Sequence, residues 1–498
     1  MHDSMDAADE LQALLSEAAR VFGDYARQSQ QGSRPIAGQS DAAQLRARLN
    51  LDEFPESGIG TRIWDDVQAV CQTAATTWSE RFLYKLYAAP APAGVLGELL
   101  VAVLNNNAHV FRAAPGGTLI EQAVARELAR RAGCFDGRAA GLTFPGGSYA
   151  NMHAMVVARN HVCPETRRAG SQGGRLAVFT SAHAHYSIDK AAMAMGVGLD
   201  NVVHVPVDAH GRMDAAQLRR LMQGAVARGS TPFFVNATVG TTVLGACDPV
   251  AELARVSAEF GAWLHVDASW GGPLALFADV FALPARGVDS LTVNPHKLLG
   301  VPLQCSFLLV REGLGAMRRA LGLGAQYLFH GDVDECGGTE SLIGEDAGDA
   351  TLGCGRRPDA IKFWLMWRYY GTRYFEARVA HARRMALALA ARVRERQQQT
   401  RRAGRWRLVA EPAGTCVCFW FAPRAVAGPE PDAQWGAATR RVCARINASG
   451  AMLLDYAAAD ARPDFFRIPL NSPAVSEQTL DQMLDLIERT GAELYELE

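Results

Sequence analysis

Three short segments of this 498-residue chain carry side chains whose types and order could do chemistry. In Val293-Asn294-Pro295-His296-Lys297 a lysine follows an apolar run. A loop lysine is ordinarily solvated, but one at the end of a buried strand offers an amine that can condense with a carbonyl. In His265-Val266-Asp267-Ala268-Ser269-Trp270-Gly271-Gly272 a carboxylate leaves a second apolar run. That is costly unless a cation or a ring nitrogen pairs with it; a capping or surface aspartate is the plain alternative. In Phe144-Pro145-Gly146-Gly147-Ser148 glycines stand just before a helical run from Asn151. Backbone N–H groups at such a strand-to-helix turn can cradle an anion, although a purely structural Gly-Gly turn reads the same way. An amine, a carboxylate and an anion cradle at strand ends of one sheet are the parts a pyridoxal-phosphate enzyme needs. The amine holds the cofactor's aldehyde, the carboxylate pairs with its ring nitrogen, and the glycines hold its phosphate.

Those residues need a scaffold, and the patterning supplies one. Gly141 to Phe144, Leu176 to Thr180, Val202 to Val205, Pro232 to Thr238, Ala262 to Val266, Ser290 to Val293 and Cys305 to Val310 read as strands. Amphipathic stretches separate them, the clearest from Pro249 to Phe260 with Asp248 as N-cap. Such alternation predicts a mostly parallel sheet with helices on both faces and ligands at the carboxyl ends of its strands. Before it, Leu11, Leu14, Leu15, Ala18, Phe22 and Tyr25 predict an amphipathic helix, for the chain's own core or a subunit interface. Arg27 to Ser40 reads as a polar linker, and residues 61 to 112 as mostly helical with little strand signal. After about residue 371 come a basic helix (Arg383 to Arg396), a strand (Thr415 to Phe421) and a C-terminal helix from Ser476.

Composition narrows the classes further. With 50 basic and 52 acidic residues the formal charge is −2, no footprint for nucleic acid. Apolar residues at 49% and charged at 20% fit a folded chain rather than a disordered one. The apolar stretch from Gly94 to Leu104 is broken by Glu98 and too short to span a membrane. An acidic N-terminus unlike a targeting peptide, and ten cysteines of which only Cys416 and Cys418 lie close, predict a cytoplasmic protein with reduced thiols and no metal site.

The segments PGGSYANMHA, SAHAHYSIDKAA, ATVGTTVLGACDP, LHVDASWGG, NPHKLLG, GRRPDAIKFWLMWRYYG and FFRIPLNSP occur in that order. Together they resemble the group II pyridoxal-phosphate decarboxylases, and the glutamate and cysteine-sulfinate branch more than the aromatic one. The resemblance runs from about residue 60 to the C-terminus and leaves residues 1–55 outside. It implies an α/β, fold-type I enzyme with a helical N-terminal segment (1–110), a pyridoxal-phosphate-binding large domain (111–370) and a small α+β C-terminal domain (371–498). It also implies a homodimer with active sites at the interface. Residue by residue, Lys297 is the Schiff-base lysine, Asp267 the partner of the ring nitrogen, and His185, rather than nearby His183, the imidazole on the ring face. Gly147, Ser148, Asn294 and His296 match phosphate contacts, Ser269 lies by the ring beside Ala268, and Thr242 lies near the ring hydroxyl. Arg467 resembles the arginine that grips a substrate carboxylate, a task suited to a bidentate fork.

Two departures from that family bear on substrate and outcome. Its members carry a loop tyrosine implicated in reprotonating Cα, but His330 to Gly355 contains none; Glu345 aligns in its place, the alternative being a shifted alignment with His330 or His185 as the donor. Slow reprotonation would favour a second outcome, oxidative deamination to an aldehyde. In Ser79-Glu80-Arg81-Phe82-Leu83-Tyr84-Lys85-Leu86, Lys85 replaces a glutamine that touches the distal carboxylate of glutamate, and His109 replaces an aromatic residue of the same pocket. Burying an extra ammonium calls for an anion, which predicts an acidic amino acid: glutamate, aspartate, cysteine sulfinate or a larger analogue. A Lys85 turned outward to water is the alternative. A catalytically silent relative kept for binding or assembly is the third reading, opposed by the intact Lys297, Asp267, His185 and Arg467.

Overall fold

The computed structural model describes residues 6–37, 41–52, 54–171, 175–329, 346–399, 404–426 and 428–495. Numbered along the chain, its strands are β1 Phe82–Leu83, β2 Ala140–Phe144, β3 Arg175–Ser181, β4 Val202–Val205, β5 Ser230–Thr238 and β6 Trp263–Ala268. They continue with β7 Ser290–Val293, β8 Ser306–Val310, β9 Gly404–Leu408, β10 Cys416–Pro423, β11 Leu453–Ala457 and β12 Phe465–Pro469. Packing divides the chain into two units, each assembled from separate segments, rather than at linear cuts near 110 and 370. One comprises Pro90–Leu387 with Ala410–Val417; the other comprises Met1–Ala89, Ala388–Val409 and Cys418–Glu498.

All seven apolar runs of the middle region become strands of one sheet in the larger unit, ordered β2-β8-β7-β6-β5-β3-β4. Its β3–β4, β3–β5, β5–β6 and β6–β7 pairs are parallel, and only β8 runs against its neighbours. The expected fold-type I, mostly parallel architecture is therefore present. Both faces of the sheet are buried, which is why its strands read as continuous apolar runs rather than alternating ones. Alternation survives in where side chains point. Ala177 and Phe179 join the core with Val124 and Leu128 of helix Pro115–Ala132, whereas Leu176 and Val178 join the core with Ala154 and Met155 of helix Gly147–Val162. Register then sets Thr238 beside Asp267, Asp267 beside Thr292 and Ala268 beside Val293. The carboxyl ends of β5, β6 and β7 thus open side by side.

The smaller unit contains a sheet of order β1-β11-β12-β10-β9, to which β10 contributes from Cys418 on. Helix Glu477–Tyr495 buries Leu480, Met483, Leu484 and Ile487 at helical spacing. Two expectations change here and in the larger unit. The stretch from Arg27 is not a linker: helix Ala7–Gln30 runs into it, and fully buried Ile36 exchanges backbone hydrogen bonds with Gly450 O (3.3 Å) and Thr76 N (2.8 Å). One apolar side chain anchors a polar run. Residues 61–112 are mostly helical as expected, with helices Ile63–Thr73 and Pro92–Leu104, and their strand content is β1, two residues that pair with β11. Asp248 does not cap helix Val250–Glu259, whose N-cap is Pro249 without a side-chain bond. Instead Asp248 is fully buried and accepts N–H bonds from Met213 and Thr238, each at 2.7 Å. Among the described residues, no helix is long and apolar enough to cross a membrane.

Candidate active site

At the open strand ends lies a cavity of about 200 Å³. Gly147, Ser148, His185, Thr242, Asp267, Ser269, Asn294, His296 and Lys297 all line it; His183 does not. The nine positions singled out for a cofactor are therefore brought together within one unit.

The glycine turn works as the sequence demands. Gly146 sits at φ +104°, a conformation costly for any residue with a side chain, and helix Gly147–Val162 starts there with no side-chain cap. Its first N–H groups and its dipole are thus available to an anion. At Gly147 a Cβ would fall 2.6 Å from Ser269 Oγ and 2.7 Å from Asn294 Nδ2, so that approach is reserved for glycine. Asn294 Oδ1 and Thr238 Oγ1 are buried without a hydrogen-bond partner among the described residues, although both residues line the cavity. A group carrying several polar atoms fits such walls. Pyridoxal phosphate is one: the helix start could hold its phosphate, Lys297 its aldehyde and Asp267 its ring nitrogen.

Asp267 is buried, and burial works against its charge. Hydrogen bonds from Ser269, its backbone N–H at 3.0 Å, and the charge of Lys297 outweigh that and hold the carboxyl below its usual range. Behind it runs a chain of donors. Trp263 Nε1–H donates to Ser290 Oγ (2.8 Å), and the Ser290 hydroxyl to His265 Nδ1 (2.8 Å). His265 Nε2–H then donates to Asn151 Oδ1 (3.0 Å), and Asn151 Nδ2–H to Asp267 Oδ2 (2.8 Å). Every link points toward the carboxylate. Burial keeps His265 neutral, as that tautomer requires.

His185 accepts the Ser187 backbone N–H on Nδ1 at 3.2 Å, so the neutral ring carries its proton on Nε2. Burial, opposed by Asp267 and aided by Lys297 and Lys190, lowers its pKa. His296 is pushed down to about 4 by burial, and its Nδ1 lies 2.7 Å from Cys305 O and 3.1 Å from the Cys305 backbone N–H.

The residues proposed for substrate lie elsewhere. In the smaller unit, Arg467 of β12 is buried opposite Asp455 of β11 and ion-pairs with its Oδ2. Lys85, its side chain 44% exposed, reaches the same oxygen at 3.1 Å. Its ammonium therefore has an internal counter-ion that the sequence reading did not include. His109 belongs to the larger unit, with Nδ1 3.1 Å from Asn107 O. His330 and Glu345 fall outside the described residues.

Asn151, Tyr186, Thr238, Gly240 and Trp270 also line the cavity and were not foreseen. For Asn151 a signal existed, since it stands one helical turn past Gly147 and shares its face. Asp455, a lone carboxylate in an irregular run, offered none.

Comparison with known proteins agrees with this geometry. The pyridoxal-dependent decarboxylase conserved domain matches residues 44–422. An L-aspartate decarboxylase of Metarhizium robertsii is 35% identical over 94% of this chain and 94% of its own. The cysteine sulfinic acid decarboxylase of Rattus norvegicus is 33% identical over 97% of both chains, a similarity that reaches into the first 55 residues. The crystal structure of mouse CSAD matches with a TM-score of 0.89 at 31% identity, over 98% of this chain and 99% of that one.

Proposed function

The chain belongs to the pyridoxal-dependent decarboxylases, and from that premise we propose that it decarboxylates an acidic L-amino acid to CO2 and the corresponding amine. One observation carries the reading: an amine, an ionised buried carboxylate and an uncapped helix start meet in one cavity. Pyridoxal phosphate, when bound, supplies the sink for the electrons of the bond to CO2. The rest is the work of the chain. Lys297 offers the anchoring amine. Asp267, kept ionised by its donors, would hold a proton on the cofactor's ring nitrogen. His185 lines the cavity with its proton on Nε2, and Gly147 and Ser148 would hold the phosphate on backbone N–H groups.

Acidic specificity is supported by the relatives, named for aspartate and cysteine sulfinate. On the family resemblance, Arg467 grips a carboxylate, and Lys85 and His109 set the side-chain preference. A homodimer is part of the proposal, supported by the exposed apolar side of helix Ala7–Gln30. So is a cytoplasmic setting, supported by the nine described cysteines, all free.

The test is CO2 and amine release by the purified enzyme from L-aspartate, L-glutamate, L-cysteine sulfinate and an aromatic amino acid, with Lys297→Ala as the blank. At least one acid should exceed the aromatic substrate about tenfold or more in kcat/KM, a discrimination of ~1.4 kcal/mol. Preference for the aromatic one, or wild-type turnover by the blank, would defeat the proposal. A second reading, decarboxylation followed by oxidation to an aldehyde, is favoured by the lack of tyrosine from His330 to Gly355. Equal amine-to-CO2 ratios with and without oxygen would remove it.

A further inference from the structure

Between Lys297 and β8 the chain returns through residues 298–305, which form neither helix nor strand. The segment is nonetheless buried over much of its length, with Leu298, Leu299 and Cys305 fully enclosed. Backbone carbonyls in such a buried loop need donors. Gly300 O finds one in the main chain, the N–H of Ala91 at 2.8 Å. At the two ends of the loop the donors are charged side chains. Arg378 of helix Thr372–Gln398 is buried, and its Nε–H donates to Leu298 O, the carbonyl next after Lys297, at 2.6 Å. Gly300, at φ +73°, admits that guanidinium, since a Cβ there would stand 2.7 Å from Nη2. Lys362 of helix Ala360–Tyr370 is wholly buried, and its ammonium donates to Gln304 O at 2.9 Å. The next residue, Cys305, meets His296, whose Nδ1 lies 2.7 Å from its O and 3.1 Å from its N–H.

Packing alone does not call for charge at either place, since apolar side chains of similar volume fill such spaces as well or better. Around Lys362 the charge is matched inside the fold. Asp359 Oδ1 lies 2.8 Å and Glu98 Oε2 3.0 Å from its Nζ, and Arg357 pairs with both carboxylates in turn. Glu98 comes within reach because helix Pro92–Leu104 crosses at a glycine: a Cβ on Gly97 would fall 2.7 Å from Lys362 Cα. All of these residues belong to the larger unit. The ammonium is thus built in, and the acceptor it reaches besides its counter-ions is the main chain one residue before the contact with His296. Lys297 and His296 both line the first cavity. The two buried cations therefore grip the loop next to the two cavity residues it connects.

We infer that Arg378 and Lys362 are positioning residues for the cofactor site: Arg378 holds the backbone that follows Lys297, and Lys362, through Gln304 and Cys305, holds the imidazole of His296. The inference rests on the assignment of Lys297 and His296 to pyridoxal phosphate. The experiment titrates pyridoxal phosphate into the apoenzymes of the wild type, Lys362→Met and Arg378→Met, and follows the thermal unfolding of each. Both variants should bind the cofactor about tenfold or more weakly, as expected when a hydrogen bond from a charged group is lost. A His296→Asn background separates the two routes. There Lys362→Met should weaken binding less than about threefold, because the ring it positions is gone, whereas Arg378→Met should keep its full effect. If Lys362→Met fails to fold, Lys362→Met with Glu98→Gln, which removes one charge of each sign, takes its place; Arg378→Lys does so for Arg378→Met. Wild-type affinity in folded variants, with only a lower melting temperature, would make the two cations supports of a buried loop and overturn the inference. So would a Lys362→Met effect undiminished by His296→Asn. A wild type that does not bind pyridoxal phosphate would defeat the reading of the cavity itself, and this inference with it.

Discussion

Asp267 can serve a ring nitrogen only while it stays ionised, and at full burial that state has to be maintained by neighbours. Asn151 is the one that delivers the relay from Trp263, Ser290 and His265 to Oδ2. Replacing it with alanine removes a hydrogen bond to a charged group, worth about 1.5–3 kcal/mol, and leaves His265 Nε2–H facing a void. Asn151→Ala should therefore lower kcat about ten- to a hundredfold. The same change raises the Asp267 pKa, since a donor to the charged form is gone, so the acid limb of the kcat profile should shift toward neutral pH. A fall in rate with no shift of that limb would make Asn151 merely structural. Lys297 and Asp267 were legible in the sequence because a charge at the end of an apolar run is an anomaly. Asn151 was not, because an amide within a helix carries no such signal; only its spacing from Gly147 pointed at the cavity.

At the scale of elements, the site is a meeting of three strand ends with one helix start, and the helix start has the least tolerance. Gly147 passes so close to Ser269 Oγ and Asn294 Nδ2 that a methyl group must displace both, and both line the anion cradle. Gly147→Ala should weaken cofactor affinity about tenfold or more, measured by titrating pyridoxal phosphate into the apoenzyme, while circular dichroism stays unchanged. Undiminished affinity would move the phosphate away from this turn. The strands themselves were readable to within a few residues, because burial on both faces leaves apolar runs bounded by turn residues. What stayed hidden has a common cause. β1 exists only through its pairing with Leu453 and Leu454, far along the chain, and Ile36 is buried only because Thr76 and Gly450 receive it. Asp248 resembled a helix cap because Asp-Pro usually is one; the two strand-side N–H groups that claim it are tertiary.

For the whole molecule, two predictions follow from what burial does to charge and what exposure does to apolar surface. His153 and His296 are buried and pushed down to about 4, and burial lowers His265 as well. Their unfolded forms protonate near pH 6.5, so the stability they confer is complete above that pH and drains away as pH falls toward 4. Asp248, raised by burial to about 7, acts in the opposite sense: the folded protein favours its protonated form, and stability is regained as pH falls from 7. For these four groups the net is a loss on the order of 2 kcal/mol between pH 6.5 and 5, of which Asp289 and Asp359, also raised by burial, offset a part. Denaturant melts should show a lower midpoint at pH 5 than at pH 7; a higher one would mean that these imidazoles are not buried neutral. The second prediction concerns helix Ala7–Gln30, where Leu11, Leu14, Leu15 and Phe22 remain 43%, 42%, 38% and 47% exposed while Val21 and Ser29 face inward. Single exposed leucines are ordinary, but four large apolar side chains along one helix form a patch that water disfavours. Covering their exposed halves is worth roughly 1 kcal/mol each at ~25 cal/mol per Å², about 4 kcal/mol in all. That is enough to shift a dimer's dissociation constant by roughly a thousandfold. Leu14→Glu combined with Phe22→Glu, each facing water in the isolated chain, should leave the fold intact. Sedimentation at micromolar concentration should then show the wild type as a dimer and the double variant as a monomer. A monomeric wild type with full activity, or a variant that dimerises as tightly, would mean that this face is covered by nothing.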